Sequence, residues 1–178
     1  MIIIADYELS YNKDDHIFCL SHEAHAYCPD CCSELRYRDS RNRIWRTYGG
    51  KTFHICIRRL KCPSCNRLHN ELPNILVPHK HYGAEVIENV VDEVVTPEDE
   101  ATEDYPCAAT MERWKEWISR ATPAIDSTLR SIGCRLLRFT DELLLSGVSL
   151  LGALRARGCE WLATVMHTIY NAGSSVPT

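Results

Sequence analysis

Apolar and polar positions alternate along the first third of the chain and then change period. Residues 2–4 and 16–20 read as short strands separated by a polar turn over 10–15. Residues 43–47 and 51–60 flank Gly49-Gly50, a dipeptide that accepts positive φ, and so predict a β-hairpin. In the second strand Phe53, Ile55 and Ile57 alternate with His54, Cys56 and Arg58, which leaves one face to bury and one polar. After Pro78 the period lengthens. Val86, Ile87, Val90, Val91, Val94 and Val95 mark one stripe of a helix over 83–95. Thr96-Pro97-Glu98-Asp99 has the cap, proline and acids of a fresh helix start, and that short helix is predicted to end near Asp104, because Tyr105 precedes Pro106. A third helix is predicted over 107–121, with Met111, Trp114, Trp117, Ile118 and Ala121 on its apolar side. Thr122-Pro123 repeats the start signal for a fourth, marked by Ile125, Leu129, Ile132 and Leu136. Two more helical stretches, 143–157 and 160–170, close on Gly158 and Gly173.

Composition narrows the class. With 178 residues, 45% of them hydrophobic, the chain can fill one or two globular domains, and whole-chain disorder is excluded. The apolar start at 1–5 is too short for a secretory signal, and the longest nearly charge-free run, 143–154, is shorter than the roughly 18–20 residues a membrane span needs. A cytoplasmic protein with no membrane association is therefore expected. In a reducing compartment ten cysteines favour metal ligation over a disulfide framework.

Two cysteine pairs have the spacing for it. Cys28-Pro-Asp-Cys31 and Cys62-Pro-Ser-Cys65 are C-x2-C knuckles, each able to converge two thiolates on one cation, and the hairpin between them can bring the knuckles together. The expectation is one structural Zn²⁺ held by Cys28, Cys31, Cys62 and Cys65. With four protein ligands the ion has no open position for water or substrate, which argues against a zinc hydrolase. His22 and His25 also have metal-like spacing to Cys28, so either histidine is a rival ligand. Cys19, Cys56, Cys107, Cys134 and Cys159 read as small buried hydrophobes.

A formal charge of −4 conceals strong segregation: residues 34–69 carry +8 and residues 70–112 carry −10. The basic segment predicts a nucleic-acid surface of Arg36, Arg38, Arg41, Arg43, Arg46, Arg58, Arg59 and Lys61, with Trp45 available to stack. Over 83–121 the helix order is that of a helix-turn-helix unit, whose third helix would offer Thr110 and Arg113 to DNA. Nine acids and no base between residues 85 and 104 weigh against that, and a packing or dimerisation module is the competing reading. The fold expected is α+β: a small N-terminal β zinc ribbon followed by an all-helical C-terminal region with a helix-turn-helix-like unit. The divisions fall at 1–78, 79–121 and 122–178.

On Cys28-Pro-Asp-Cys31, Ile57-Arg58-Arg59-Leu60-Lys61-Cys62-Pro-Ser-Cys65, His69, Leu72-Pro73, Pro78, Tyr82, Val86-Ile87-Glu88 and Thr110 with Arg113-Trp114, the chain resembles transposon-associated zinc-ribbon proteins of Firmicutes. The resemblance spans about residues 25–120. It implies a mobile-element accessory or regulator that binds DNA, with a separately encoded transposase or recombinase as partner. No nucleophile elbow or phosphate-cradling Gly-rich loop is present, and no β-rich stretch follows to carry a carboxylate triad, so no enzyme is expected. The alternative is a protein–protein adaptor whose ribbon docks on a partner and whose helices form a homodimer.

Overall fold

A computed structural model gives the fold and describes residues 1–23, 25–99, 105–137 and 139–178, with backbone alone at 133–136. Six strands form one mixed sheet: β1 (Ile2–Ile4), β2 (Glu8–Asn12), β3 (Ile17–Ser21), β4 (Arg36–Arg46), β5 (Thr52–Lys61) and β6 (Leu68–Pro73). Strand β5 is the spine. Along one side it pairs antiparallel with β4. Its other side is divided between β3, parallel at Phe18/Ile55 and Cys19/Cys56, and β6, antiparallel from Arg59/Asn70 to Lys61/Leu68. Strand β2 forms a hairpin with β3, and β1 runs parallel to β6. The helices are α1 (Ala84–Val91), α2 (Ala108–Leu136), α3 (Asp141–Leu145), α4 (Leu150–Arg155) and α5 (Trp161–Asn171).

The C-terminal region is helical as expected, but the rest corrects the predicted fold class. The N-terminal part is a six-stranded mixed sheet rather than a small ribbon. Strands β2 and β6 have no clean apolar alternation of their own and are held by their neighbours. The two parallel pairings join segments far apart in sequence, which local periodicity cannot reveal. The sheet is also not separate from the helices. Ile3, Ile55, Ile57 and Leu72 share one core with Ile87, Val90, Trp114, Ile118, Leu162 and Val165.

The helix-turn-helix order finds no support either. Helix α1 stops at Val91, and 96–99 are a turn in which the Thr96 amide and hydroxyl both donate to Asp99 Oδ2, at 2.7 and 3.0 Å. The remainder of the expected acidic helix, 100–104, lies outside the described residues. Helix α2 then runs for 29 residues straight through Pro123, where two helices were expected. Its buried positions Met111, Trp114, Ile118, Ala121, Ile125 and Leu129 stay in phase across the proline. Burying that continuous stripe outweighs the interior proline's penalty of about 3 kcal/mol. The expected 143–157 helix is instead split, with Thr140 capping α3 and Ser149 capping α4. No helix among the described residues is long and apolar enough to cross a membrane.

Two contacts tie the ends of the chain to the sheet. The Asn171 carboxamide accepts from Ile3 N and donates to Ile3 O, both at 2.8 Å, and so stands in for a neighbouring strand on the open edge of β1. At Gly173, with φ +80°, a side chain would press within 3.0 Å of the Pro29 carbonyl oxygen, so the chain leaving α5 passes directly against the first cysteine knuckle.

Candidate metal centre and basic surface

Alternation along β1 and β5 divides the sheet into two faces. Ile3, Ile55 and Ile57 point to the helices, while Ile2 and Leu60 point the other way and pack with Leu35, Cys28 and Cys62. The second, smaller cluster is the seat of the cysteines.

The two knuckles are built alike. In the first, Cys32 N donates to Cys28 O at 2.8 Å and Cys28 N to Ser33 O at 2.9 Å. In the second, Asn66 N donates to Cys62 O at 3.1 Å and Cys62 N to Arg67 O at 2.9 Å. Cys32 and Asn66 take the same positive φ, 58° and 61°, as each turn requires. All four Sγ atoms lie within 4.8 Å of one another. Cys28 and Cys65 Sγ are 3.7 Å apart, and Cys31 and Cys62 Sγ 3.4 Å. A tetrahedral ion with metal–sulfur bonds of about 2.3 Å separates its sulfurs by roughly 3.8 Å, so the four thiols fit one such ion. Cys65 N also points at Cys62 Sγ at 3.4 Å, a backbone donor suited to a thiolate. At Cys31, hydrogen bonds from the Ser33 backbone and hydroxyl lead the effects that pull the thiol down to about 6.

His69, on β6, was singled out in sequence only as part of a resemblance. The register places it beside Leu60, on the cysteine face. Its Nε2 lies 3.5 Å from Cys28 Sγ, and Asp30 Oδ2 is 3.7 Å from the same nitrogen. Burial is the largest effect on the imidazole and lowers its pKa. Against a metal-bound thiolate, which only accepts, Nε2 carries the proton and donates. The rival histidines are elsewhere. His22 Nε2 lies 2.9 Å from the buried Glu71 carboxylate and against the Arg58 guanidinium, and exposed His25 meets Glu34 at 2.6 Å.

The other cysteines do not behave as expected. Cys19 and Cys56 are partly exposed and face each other across β3 and β5, Cys107 and Cys159 are exposed, and the Cys134 side chain lies outside the described residues.

The predicted nucleic-acid residues divide into two groups. Arg58 donates to Glu71 at 2.5 Å, and Arg59 makes a two-pronged contact with Asp39, each arm 2.5 Å, which holds the Asp39 carboxyl below its usual range. Arg46 donates to the Tyr82 hydroxyl at 3.2 Å, and Trp45 packs with Phe18 and Phe53 at ring separations of 5.6 and 5.5 Å. Thr110 accepts from Arg113 Nη2 at 2.7 Å. Arg36, Arg38, Arg41 and Lys61 are exposed.

A β-bulge between Tyr37 and Asp39 decides which way the exposed ones face. Without it, Arg36 would share a side of β4 with the even positions and oppose Arg41 and Arg43. With it, Arg36 pairs Lys61, Arg41 pairs Ile57 and Arg43 pairs Ile55, so exposed Arg36, Arg41 and Lys61 lie on the side of the sheet that carries Ile55 and Ile57, together with Arg43, which is half-buried with Nη2 on the Lys80 carbonyl oxygen. The row follows an edge strand whose outer side, among the described residues, is met near Arg46 by Tyr82 and its neighbours.

Residues 28–114 match the model of a domain family described as a domain of unknown function, DUF6431. The match begins at the first cysteine of the metal centre and takes in all four, the whole of β4, β5, β6 and α1, and the start of α2. No curated protein and no solved structure matches the chain.

Proposed function

We propose that this is a zinc-stabilised DNA-binding protein that grips the duplex through the basic row of β4. Four thiolates at these separations, with backbone donors to sulfur, are the donor set that zinc favours over harder cations. The ion's role is structural, because the protein supplies every ligand of a tetrahedral shell. The observation that carries the DNA reading is the bulge that aligns Arg36, Arg41, Arg43 and Lys61 on one side of the sheet. From Arg36 to Arg43, opposite the six-residue advance from Lys61 to Ile55, the row extends about 20 Å at the usual rise per strand residue, long enough to follow several phosphates. The aromatic residue proposed for stacking, Trp45, is packed against Phe18 and Phe53, which favours backbone contact with a duplex over base stacking with a single strand. The resemblance to transposon-associated proteins supports an accessory role beside a separately encoded transposase or recombinase.

Binding to a short duplex measured across salt concentrations tests this reading. The affinity falls steeply with salt, and the double variant Arg36→Gln/Arg41→Gln flattens the slope of log K against log salt by about 2, without preference for any sequence. Absence of duplex binding by the zinc-loaded protein at low salt refutes it.

A further inference from the structure

Most described cations that touch a carboxylate have one clear partner: Arg58 with Glu71, Arg59 with Asp39, Arg67 with Asp30, Lys115 with Glu93, Arg155 with Asp92. Along one face of α2 the pattern stops. Lys80 lies over Trp117, which stands between Arg113 and Arg120 on one face of α2, and no ion pair joins any of the three cations to an acid among the described residues. They come from unrelated parts of the sequence. Lys80 is the only base between residues 70 and 112, inside the most acidic segment of the chain, so no reading of charge runs would select it.

The fold holds this like-charged group in place. Lys80 Nζ sits 4.3 Å above the centre of the buried Trp117 ring, which fixes the ammonium by a cation–π contact. Arg43 donates from Nη2 to the Lys80 carbonyl oxygen at 3.0 Å, anchoring the loop from the β4 side. Arg113 is steadied by Ala109 O at 3.1 Å and the Thr110 hydroxyl at 2.7 Å. Partial burial and then the charges of Arg113 and Arg120 push the Lys80 pKa down. The Nε of Arg43 is buried without an acceptor.

We propose that Lys80, Arg113 and Arg120, backed by Arg43, form a phosphate-binding cradle at the end of the basic row. A phosphate offers several acceptor oxygens and at least one negative charge, which matches three cationic side chains ranged along one helix face. The assignment to a backbone phosphate of DNA rests on the function proposed above. The cradle itself requires only the phosphate, whether it belongs to a duplex or to a free phosphorylated ligand.

The zinc-loaded protein and the variant Arg113→Gln/Arg120→Gln separate these cases. Both replaced side chains are exposed, and Lys80→Met serves as a second variant that keeps an unbranched aliphatic stem over Trp117. Two probes are used: a short DNA duplex across salt concentrations, and inorganic pyrophosphate at fixed ionic strength, read by the shift in Tm. A wild-type salt slope that flattens by about 2 in the double variant and about 1 in Lys80→Met supports a backbone-phosphate cradle. Duplex binding with an unchanged slope in both variants overturns the cradle and leaves the DNA reading standing. A pyrophosphate-dependent rise in Tm that is lost in the variants, without duplex binding, supports the cradle for a free ligand and overturns the DNA reading. No response to either probe overturns both.

Discussion

At the scale of single residues, the candidate metal centre has more around it than its four cysteines. The His69 Nε2–H next to Cys28 Sγ offsets charge on a buried thiolate that otherwise has little solvent. Outer contacts of this kind typically change metal affinity by about 10–100-fold. His69→Phe, which fills the space without a donor, is therefore expected to weaken zinc by that factor in a chelator competition. His69→Gln, which keeps a donor, is expected to recover most of it, and equal losses in both variants would mean that His69 acts through packing alone. The C-x2-C spacing made the four cysteines legible from sequence, because the chemistry is local to each knuckle. His69 was not legible as a partner of Cys28. Its place depends on the pairing of β6 with β5, and nothing in Leu68–Pro73 announces a strand. The ion pairs of Arg58 and Arg59 were illegible for the same reason: their partners, Glu71 and Asp39, lie on neighbouring strands that only the register brings alongside.

At the scale of elements, local start signals lost to packing. Thr122-Pro123 is a sound helix start in isolation, and Thr122 even uses its hydroxyl, but as a donor to Ile118 O at 2.7 Å within a continuing helix. Pro123 has no N–H to give the preceding turn, so α2 carries an unmade backbone bond at an exposed position. Pro123→Ala is expected to stabilise the protein by roughly 1–3 kcal/mol in urea unfolding, with the slope of the transition unchanged. A loss of stability would show that the conformation Pro123 imposes is needed for the stripe to reach the core. The junction of α1 with α5 is a second case. Glu160, at the start of α5, has positive φ and gives no side-chain cap; the buried Glu88 of α1 does that work instead, accepting from Glu160 N at 3.0 Å and Leu162 N at 2.6 Å. An N-cap supplied from 74 residues away leaves no mark in the sequence around Glu160.

At the scale of the whole molecule, the break at Pro78 is real as a change of period but does not mark an independent core. The last strand ends at Pro73 and the first helix begins at Ala84, yet the side of the sheet that carries Ile55, Ile57 and Leu72 is buried only because α1, α2 and α5 cover it. A zinc ion can tie the two knuckles together, but it cannot shield that face, which lies on the opposite side of the sheet from Cys28 and Cys62. Exposing three large aliphatic side chains forfeits roughly 1.5–3 kcal/mol each, comparable to the whole stability of a small domain. The fragment 1–78 with zinc bound is thus expected to bind a hydrophobic dye and to lack a cooperative thermal transition, whereas the full chain melts cooperatively. A cooperative transition in the fragment, with amide protection along β5, would mean that the metal cluster with Ile2, Leu35 and Leu60 suffices to fold the sheet. The same dependence constrains the DNA reading. If the helices are what keep β5 flat and β4 in register, the alignment of Arg36 with Arg41 and Arg43 is a property of the complete molecule, and the isolated basic segment has the charge without the row.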